Sequence, residues 1–111
     1  NIEGYMDLPQ VFGRSRGMFL LRVCGDSMVD DGILDGDYVL VRPDGTVANG
    51  QIGVVLLDDE ATVKRVFVQK NRIALKPANN RAGYKTRYVR QFDKDVRIRG
   101  TVVGCIRTDI Q

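Results

Sequence analysis

A mostly β protein, a compact antiparallel β fold with one short helical turn, is predicted by three features of the sequence. Seven short segments are rich in β-branched residues, turn-forming residues separate them every few positions, and no long stretch shows helical apolar spacing. At 111 residues the chain is long enough to bury a core without disulfide or metal staples, and it reads as one domain over 1–111, with no repeat, low-complexity tract or linker.

The first strand candidate, residues 18–23 (MFLLRV), is apolar except for Arg22. Cys24-Gly25-Asp26 ends it, and a helical turn is expected over 27–31. Asp35-Gly36-Asp37 turns the chain into residues 38–41 (YVLV), and Pro43-Asp44-Gly45 with Asn49-Gly50 punctuates the approach to residues 52–57 (IGVVLL). Asp58-Asp59, of turn composition, leads into residues 62–68 (TVKRVFV). Lys70-Asn71 separates that strand from residues 73–76 (IALK), and Ala78-Asn79-Asn80 precedes residues 87–91 (RYVRQ). In the last segment, residues 96–103 (VRIRGTVV), Gly100 marks a bulge or a close approach of backbones. That strand is either an open edge able to pair with a second copy or an internal strand.

Composition narrows the chemistry. The chain contains no histidine, which removes Ser-His-Asp and Cys-His catalysis and every His-ligated metal site. Its two cysteines, Cys24 and Cys105, cannot form a C-x-x-C motif and lie within apolar runs, so they read as small buried hydrophobes in a reducing, cytoplasmic protein. No metal and no cofactor is expected, and no apolar run has the ~20 residues needed to span a membrane. Residues 1–60 carry 4 Lys/Arg against 11 Asp/Glu, a balance of −7, whereas residues 61–111 carry 13 against 3, a balance of +10. Either the two halves interleave and partly neutralise one another, or the second half presents a basic surface to an acidic partner or a DNA backbone. The scarcity of aromatic residues between the basic ones argues against a nucleic-acid stacking platform.

Without histidine, a serine nucleophile needs a neutral lysine or a terminal amine as its base. Of the two serines, Ser15 lies in a basic Gly13-Arg14-Ser15-Arg16-Gly17 segment with no evident partner. Ser27, in Gly25-Asp26-Ser27-Met28, stands where a strand gives way to a helical turn. That geometry exposes a hydroxyl and places the successive backbone N–H groups of Asp26 and Ser27 to form an oxyanion hole; equally, Ser27 is a suitable N-cap. Two-residue periodicity puts Lys64 on one face with Thr62, Val66 and Val68, and Arg65 on the other with Val63 and Phe67. A lysine among valines is a general base if that face is buried and a snorkelling surface residue if it is not.

Residues 21–28 (LRVCGDSM) followed by 31–41 (DGILDGDYVLV) resemble the serine motif of the self-cleaving LexA-type repressors. Residues 49–55 (NGQIGVV) and 59–65 (DEATVKR) resemble that family's lysine segment, and residues 75–79 (LKPAN) and 100–107 (GTVVGCIR) its later strands. The resemblance extends over most of the chain. It implies a fold of the LexA/signal-peptidase type and a Ser-Lys peptidase with Ser27 as nucleophile and uncharged Lys64 as general base. It also implies intramolecular cleavage of an upstream Ala-Gly bond under stimulation by RecA filaments on single-stranded DNA, and a homodimer formed through the C-terminal strand. Contact with operator DNA would belong to an N-terminal winged helix-turn-helix, and no membrane partner is implied. No such reading domain, and no Ala-Gly bond ahead of Ser27, occurs in these residues, so the chain is expected to be a C-terminal fragment; Cys24-Gly25 and Ala82-Gly83 are coincidences of composition. The alternatives are a phage-repressor or UmuD-like domain acting mainly in dimerisation, and a fragment of a type I signal peptidase.

Overall fold

The structure, a computed structural model, describes residues 2–4, 17–81 and 83–108. Eight strands form one antiparallel sheet: β1 (Ile2–Gly4), β2 (Phe19–Arg22), β3 (Tyr38–Pro43), β4 (Ile52–Leu57), β5 (Glu60–Val68), β6 (Arg72–Lys76), β7 (Arg87–Arg90) and β8 (Val96–Ile106). Their order across the sheet is β1-β2-β3-β8-β4-β5-β6-β7. All seven expected strands are present. The short β1, paired with β2, was not anticipated because three residues carry no periodicity. A 3-10 turn at Val29–Asp31 accounts for the expected helical turn. Ser15 lies outside the described residues.

Hairpin chemistry sets the β4–β5 register. Asp58 and Asp59 both adopt positive φ, 51° and 68°, as a two-residue loop requires, and Leu57 faces Glu60 across the turn.

The last strand is internal. β8 runs between β3 and β4, but residues 102–106 pair only with β3 and residues 96–98 only with β4, so each half has one open flank among the described residues. Register shifts leave Val103 opposite no residue of β3 and Arg99 opposite none of β4, two bulges that bend the strand. Gly100 sits between them where backbones approach closely: a Cβ there would lie 2.3 Å from the Arg42 carbonyl oxygen.

Three hydrophobic clusters pack on the faces of this bent sheet, the smallest made by Leu20 and Leu40. Phe19, Leu21, Val23, Met28, Ile33, Val39, Val41, Val54 and Val63 form one, and Val47, Val55, Val66, Ile73 and Leu75 another. The cysteines depart from expectation, since Cys24 and Cys105 are both free and exposed. Cys24 lies just past the end of β2, where the chain leaves the sheet, and Cys105 takes an outward position in the alternation of β8. An apolar run near a strand end signals one buried face, not two. No helix among the described residues is long and apolar enough to cross a membrane.

Candidate active site

Ser27 and Lys64, 37 residues apart, meet: Lys64 Nζ lies 3.0 Å from Ser27 Oγ. The chain neighbours of both residues fix this contact. Met28, only 1% exposed, and Val63 belong to the same hydrophobic cluster, so the residues following the serine and preceding the lysine are anchored in one packed core. Ser27 and Lys64 themselves are half-buried at its rim.

Lys64 lies on the face of β5 that two-residue alternation predicts. Its Nζ donates to Thr62 Oγ1 at 3.0 Å and to the Val63 carbonyl at 3.1 Å. No carboxylate lies within 4 Å of it among the described residues, so burial is uncompensated by an anion and holds the ammonium pKa below its usual 10.5. The lysine therefore does not snorkel freely into solvent. Ser27 does not cap the turn either: the capping position is Met28, and no side chain makes a capping hydrogen bond there.

The peptide groups around Ser27 are held from one side. Ala78 N–H donates to the Ser27 carbonyl at 2.7 Å, Asn79 Nδ2 donates to the Asp26 carbonyl at 2.8 Å, and Asp30 N–H donates to the Ala78 carbonyl at 2.7 Å. Tyr84 donates its hydroxyl hydrogen to Asp26 Oδ1, a bond that also raises the tyrosine's own pKa. With the carbonyls so engaged, the backbone N–H groups of Asp26, Ser27 and Met28 carry no hydrogen bond among the described residues.

Two ion pairs tie the serine loop to the rest of the sheet. Arg65 grips Asp31 with two bonds, Nε to Oδ2 at 3.0 Å and Nη2 to Oδ1 at 3.1 Å, and its Nη1 donates to the Gly50 carbonyl. Arg107, just past β8, binds buried Asp37 through Nε at 2.8 Å and Nη2 at 2.7 Å, and Nη2 also reaches the Gly32 carbonyl at 2.9 Å. Sequence reasoning missed Thr62, Asn79 and both of these acid–base pairs as supports of the site. Only Thr62, two residues before Lys64 on its face, had a readable signal; the others depend on contacts 34 to 70 residues apart.

Grooves open on both sides of the dyad. One of about 240 Å³ passes Cys24, Ser27 and Lys64, and another of about 450 Å³ extends from Thr62 and Lys64 toward Leu75, Lys85 and Arg87. They share Glu60, Ala61, Thr62 and Lys64, so an extended peptide can cross the serine with room on either side. Among the described residues no cluster of acidic or cysteine side chains is arranged to hold a metal ion.

The peptidase S24-like family matches residues 1–103. The LexA repressor of Desulforamulus reducens is 47% identical over 107 residues, covering 96% of this chain and 47% of that protein. The LexA repressor of Syntrophotalea carbinolica is also 47% identical over 107 residues, with 51% of that protein covered. That of Caldicellulosiruptor saccharolyticus is 45% identical over the same length, with 50% covered. The chain thus spans about half the length of the curated relatives it matches.

Proposed function

This chain belongs to the S24-like peptidases, and from that membership we propose that it is the C-terminal self-cleavage and dimerisation domain of an SOS-response transcriptional repressor, a cytoplasmic DNA-binding protein. Ser27 is the nucleophile and Lys64 its general base. The observation that carries this reading is the 3.0 Å contact between Lys64 Nζ and Ser27 Oγ in a setting that favours the neutral amine.

A neutral lysine amine has two N–H donors and one lone pair. The Thr62 hydroxyl and the Val63 carbonyl absorb the two donors, which turns the lone pair toward the serine hydroxyl. Lys64 takes the Ser27 proton as Oγ attacks the scissile carbonyl. The N–H groups of Asp26 and Ser27 receive the negative charge on the tetrahedral oxygen. Lys64 then passes the proton to the leaving amine and activates water to hydrolyse the acyl-enzyme. The bond cleaved is an Ala-Gly bond in a segment preceding residue 1, and tethering it to the domain supplies the effective concentration that a weakly activated serine needs.

Stimulation by a RecA–single-stranded DNA filament and contact with operator DNA through a separate domain complete this reading. The homodimer forms along β8, whose residues 102–106 pair only with β3 and leave a ladder flank open to a second copy. Retention of Ser27 and Lys64 favours cleavage over a purely dimerising role, since pairing of strands requires neither side chain.

The test incubates the longer parent protein at alkaline pH and follows the appearance of two fragments. Ser27→Ala and Lys64→Ala are each expected to abolish fragmentation while leaving the circular-dichroism spectrum unchanged. Cleavage by Ser27→Ala at the wild-type rate overturns the assignment.

A further inference from the structure

The outer strands of the sheet, β6 and β7, carry cations that form no ion pair among the described residues. The three ion pairs among the described residues use Arg42, Arg65 and Arg107. Lys70, Arg72, Lys76 and Arg90, all exposed and all on or beside β6 and β7, have no carboxylate within 4 Å among the described residues, and Asp58, Asp93 and Asp95 line a depression beside Arg90 without pairing with it. The acidic half of the chain therefore does not neutralise this end of the fold by contact.

Strand register sorts these residues by face. Phe67, Ala74 and Tyr88 lie directly opposite one another across β5, β6 and β7 and share the face turned away from Lys64. On the same face, Arg72 stands opposite Arg90 at one end of that row, and Lys76 stands opposite Arg65 at the other. Cations thus flank a row that carries two aromatic rings, Phe67 and Tyr88, on either side of Ala74; of these cations only Arg65 is held by a carboxylate, that of Asp31. The Arg72 guanidinium lies 4.0 Å from the centre of the Tyr88 ring, and Tyr88 remains 52% exposed. Phe92, two residues beyond β7, is 90% exposed, and β7 is the outermost strand of the sheet, so nothing among the described residues covers it. The sequence showed few aromatic residues between the basic ones; the aromatic partners are supplied by neighbouring strands.

We propose that this face, centred on Arg72, Tyr88 and Arg90 with Lys76 at its end and the exposed Phe92 just beyond β7, binds single-stranded nucleic acid. Unneutralised cations attract any polyanion, but an acidic peptide needs only the cations. Single-stranded nucleic acid also needs planar groups on which unpaired bases stack, and the Tyr88 ring, the guanidinium stacked on it and the Phe92 ring are such groups. Duplex DNA keeps its bases paired and has no use for them. The binding does not depend on peptidase chemistry, so it stands or falls separately from the assignment of Ser27 and Lys64.

The test titrates the 111-residue chain into a fluorescein-labelled oligothymidylate of about 15 nucleotides and reads fluorescence anisotropy between about 50 and 200 mM salt. Three or four phosphates neutralised on this face give a log–log salt slope of about −2 to −3. Arg72→Glu/Arg90→Glu should weaken binding at least about tenfold at low salt and flatten the slope by about 1.4. Tyr88→Ala and Phe92→Ala should each weaken it several-fold with the slope unchanged. Arg97→Glu/Arg99→Glu, the same charge change placed on β8, should leave affinity within about twofold, and circular dichroism confirms the fold of each variant. The proposal is overturned if no salt-dependent binding appears, or if the β8 charge reversal weakens binding as much as that on β6 and β7. It is equally overturned if polyglutamate or a duplex of the same length competes as well as the single strand while the two alanine variants change nothing.

Discussion

Asp37 carries a stabilisation that can be removed without changing shape. Its side chain is 1% exposed and accepts hydrogen bonds from both Arg107 nitrogens, from Leu34 N–H at 2.8 Å and from the Cys105 thiol. The Arg107 bonds outweigh the opposing effect of burial and lower the carboxyl pKa from 3.8 to about 2. At about 1.36 kcal/mol per pKa unit, that shift corresponds to roughly 2.5 kcal/mol. The Arg107 side chain is 48% exposed, so water and salt screen the pair and about 1–2 kcal/mol is the expected net contribution. Asp37→Asn keeps the volume and leaves an amide oxygen for Leu34 N–H while deleting the charge.

Because the folded pKa lies below the unfolded one, this stability is fully present above about pH 5 and is lost as the pH falls through 3.8 toward 2. Urea denaturation should therefore show Asp37→Asn less stable than wild type by about 1–2 kcal/mol at pH 7, a midpoint shift of about 1 M at the slope usual for small domains. The two curves should converge between about pH 4 and 2. A gap that keeps its full size at pH 2 refutes the electrostatic account and assigns the loss to packing.

Lys64 should confer a pH-dependent cleavage rate on the longer protein, rising with pH and levelling off at an inflection below 10.5, because burial disfavours the ammonium; an inflection at 10.5 or above contradicts this. Since its folded pKa is depressed, the chain gains stability as the pH rises through that folded value. Lys64→Met should therefore raise the melting temperature at pH 7 while abolishing cleavage, with calorimetry and gel fragmentation as the two readouts. Gly100→Ala should cost about 3 kcal/mol in urea denaturation, because the added methyl carbon would sit 2.3 Å from the Arg42 carbonyl oxygen and 2.6 Å from Val41 Cγ1, forcing β3 and β8 apart. A loss below about 1 kcal/mol would show that the strands separate easily.

The strands were legible because turn residues bracket each of them and because alternation holds locally. Alternation placed Lys64 beside Thr62 on one face of β5, and the absence of histidine directed attention to a lysine as the base. What lay beyond reach depends on pairs distant in sequence. Nothing local in Asp31 or Arg107 names its partner, and nothing in Tyr88 reveals that Arg72 stacks on it and that Phe67 shares its face two strands away once β5, β6 and β7 are in register. The cysteines were misjudged for a related reason, since an apolar run records the average environment of a segment and not the face that each position takes.

Asn79 offers the sharpest separation of site geometry from fold stability. It is 8% exposed; its Nδ2 donates to the Asp26 carbonyl at 2.8 Å, and its Oδ1 accepts from Arg81 N–H at 2.9 Å. The first bond orients the peptide group linking Asp26 to Ser27, whose N–H is assigned to the oxyanion. Asn79→Asp preserves size and the Arg81 bond but replaces the donor with a carboxylate oxygen facing a carbonyl, so the Asp26–Ser27 peptide must rotate away or the acid must take up a proton. Loss of one oriented oxyanion donor typically slows acyl transfer by about 10²–10³. Removing the Asn79 bond from the Asp26 carbonyl, which keeps a longer one from Val29 N–H at 3.4 Å, costs at most about 1–3 kcal/mol of stability. Cleavage of the longer protein should thus fall by at least about a hundredfold under conditions where Asn79→Asp is still folded by circular dichroism. Relative to wild type at the same pH, the deficit should shrink below the pKa of the introduced acid, where its protonated form again donates to the carbonyl. A variant that cleaves at the wild-type rate while folded would remove Asn79, and the carbonyl that it holds, from the geometry of the reaction.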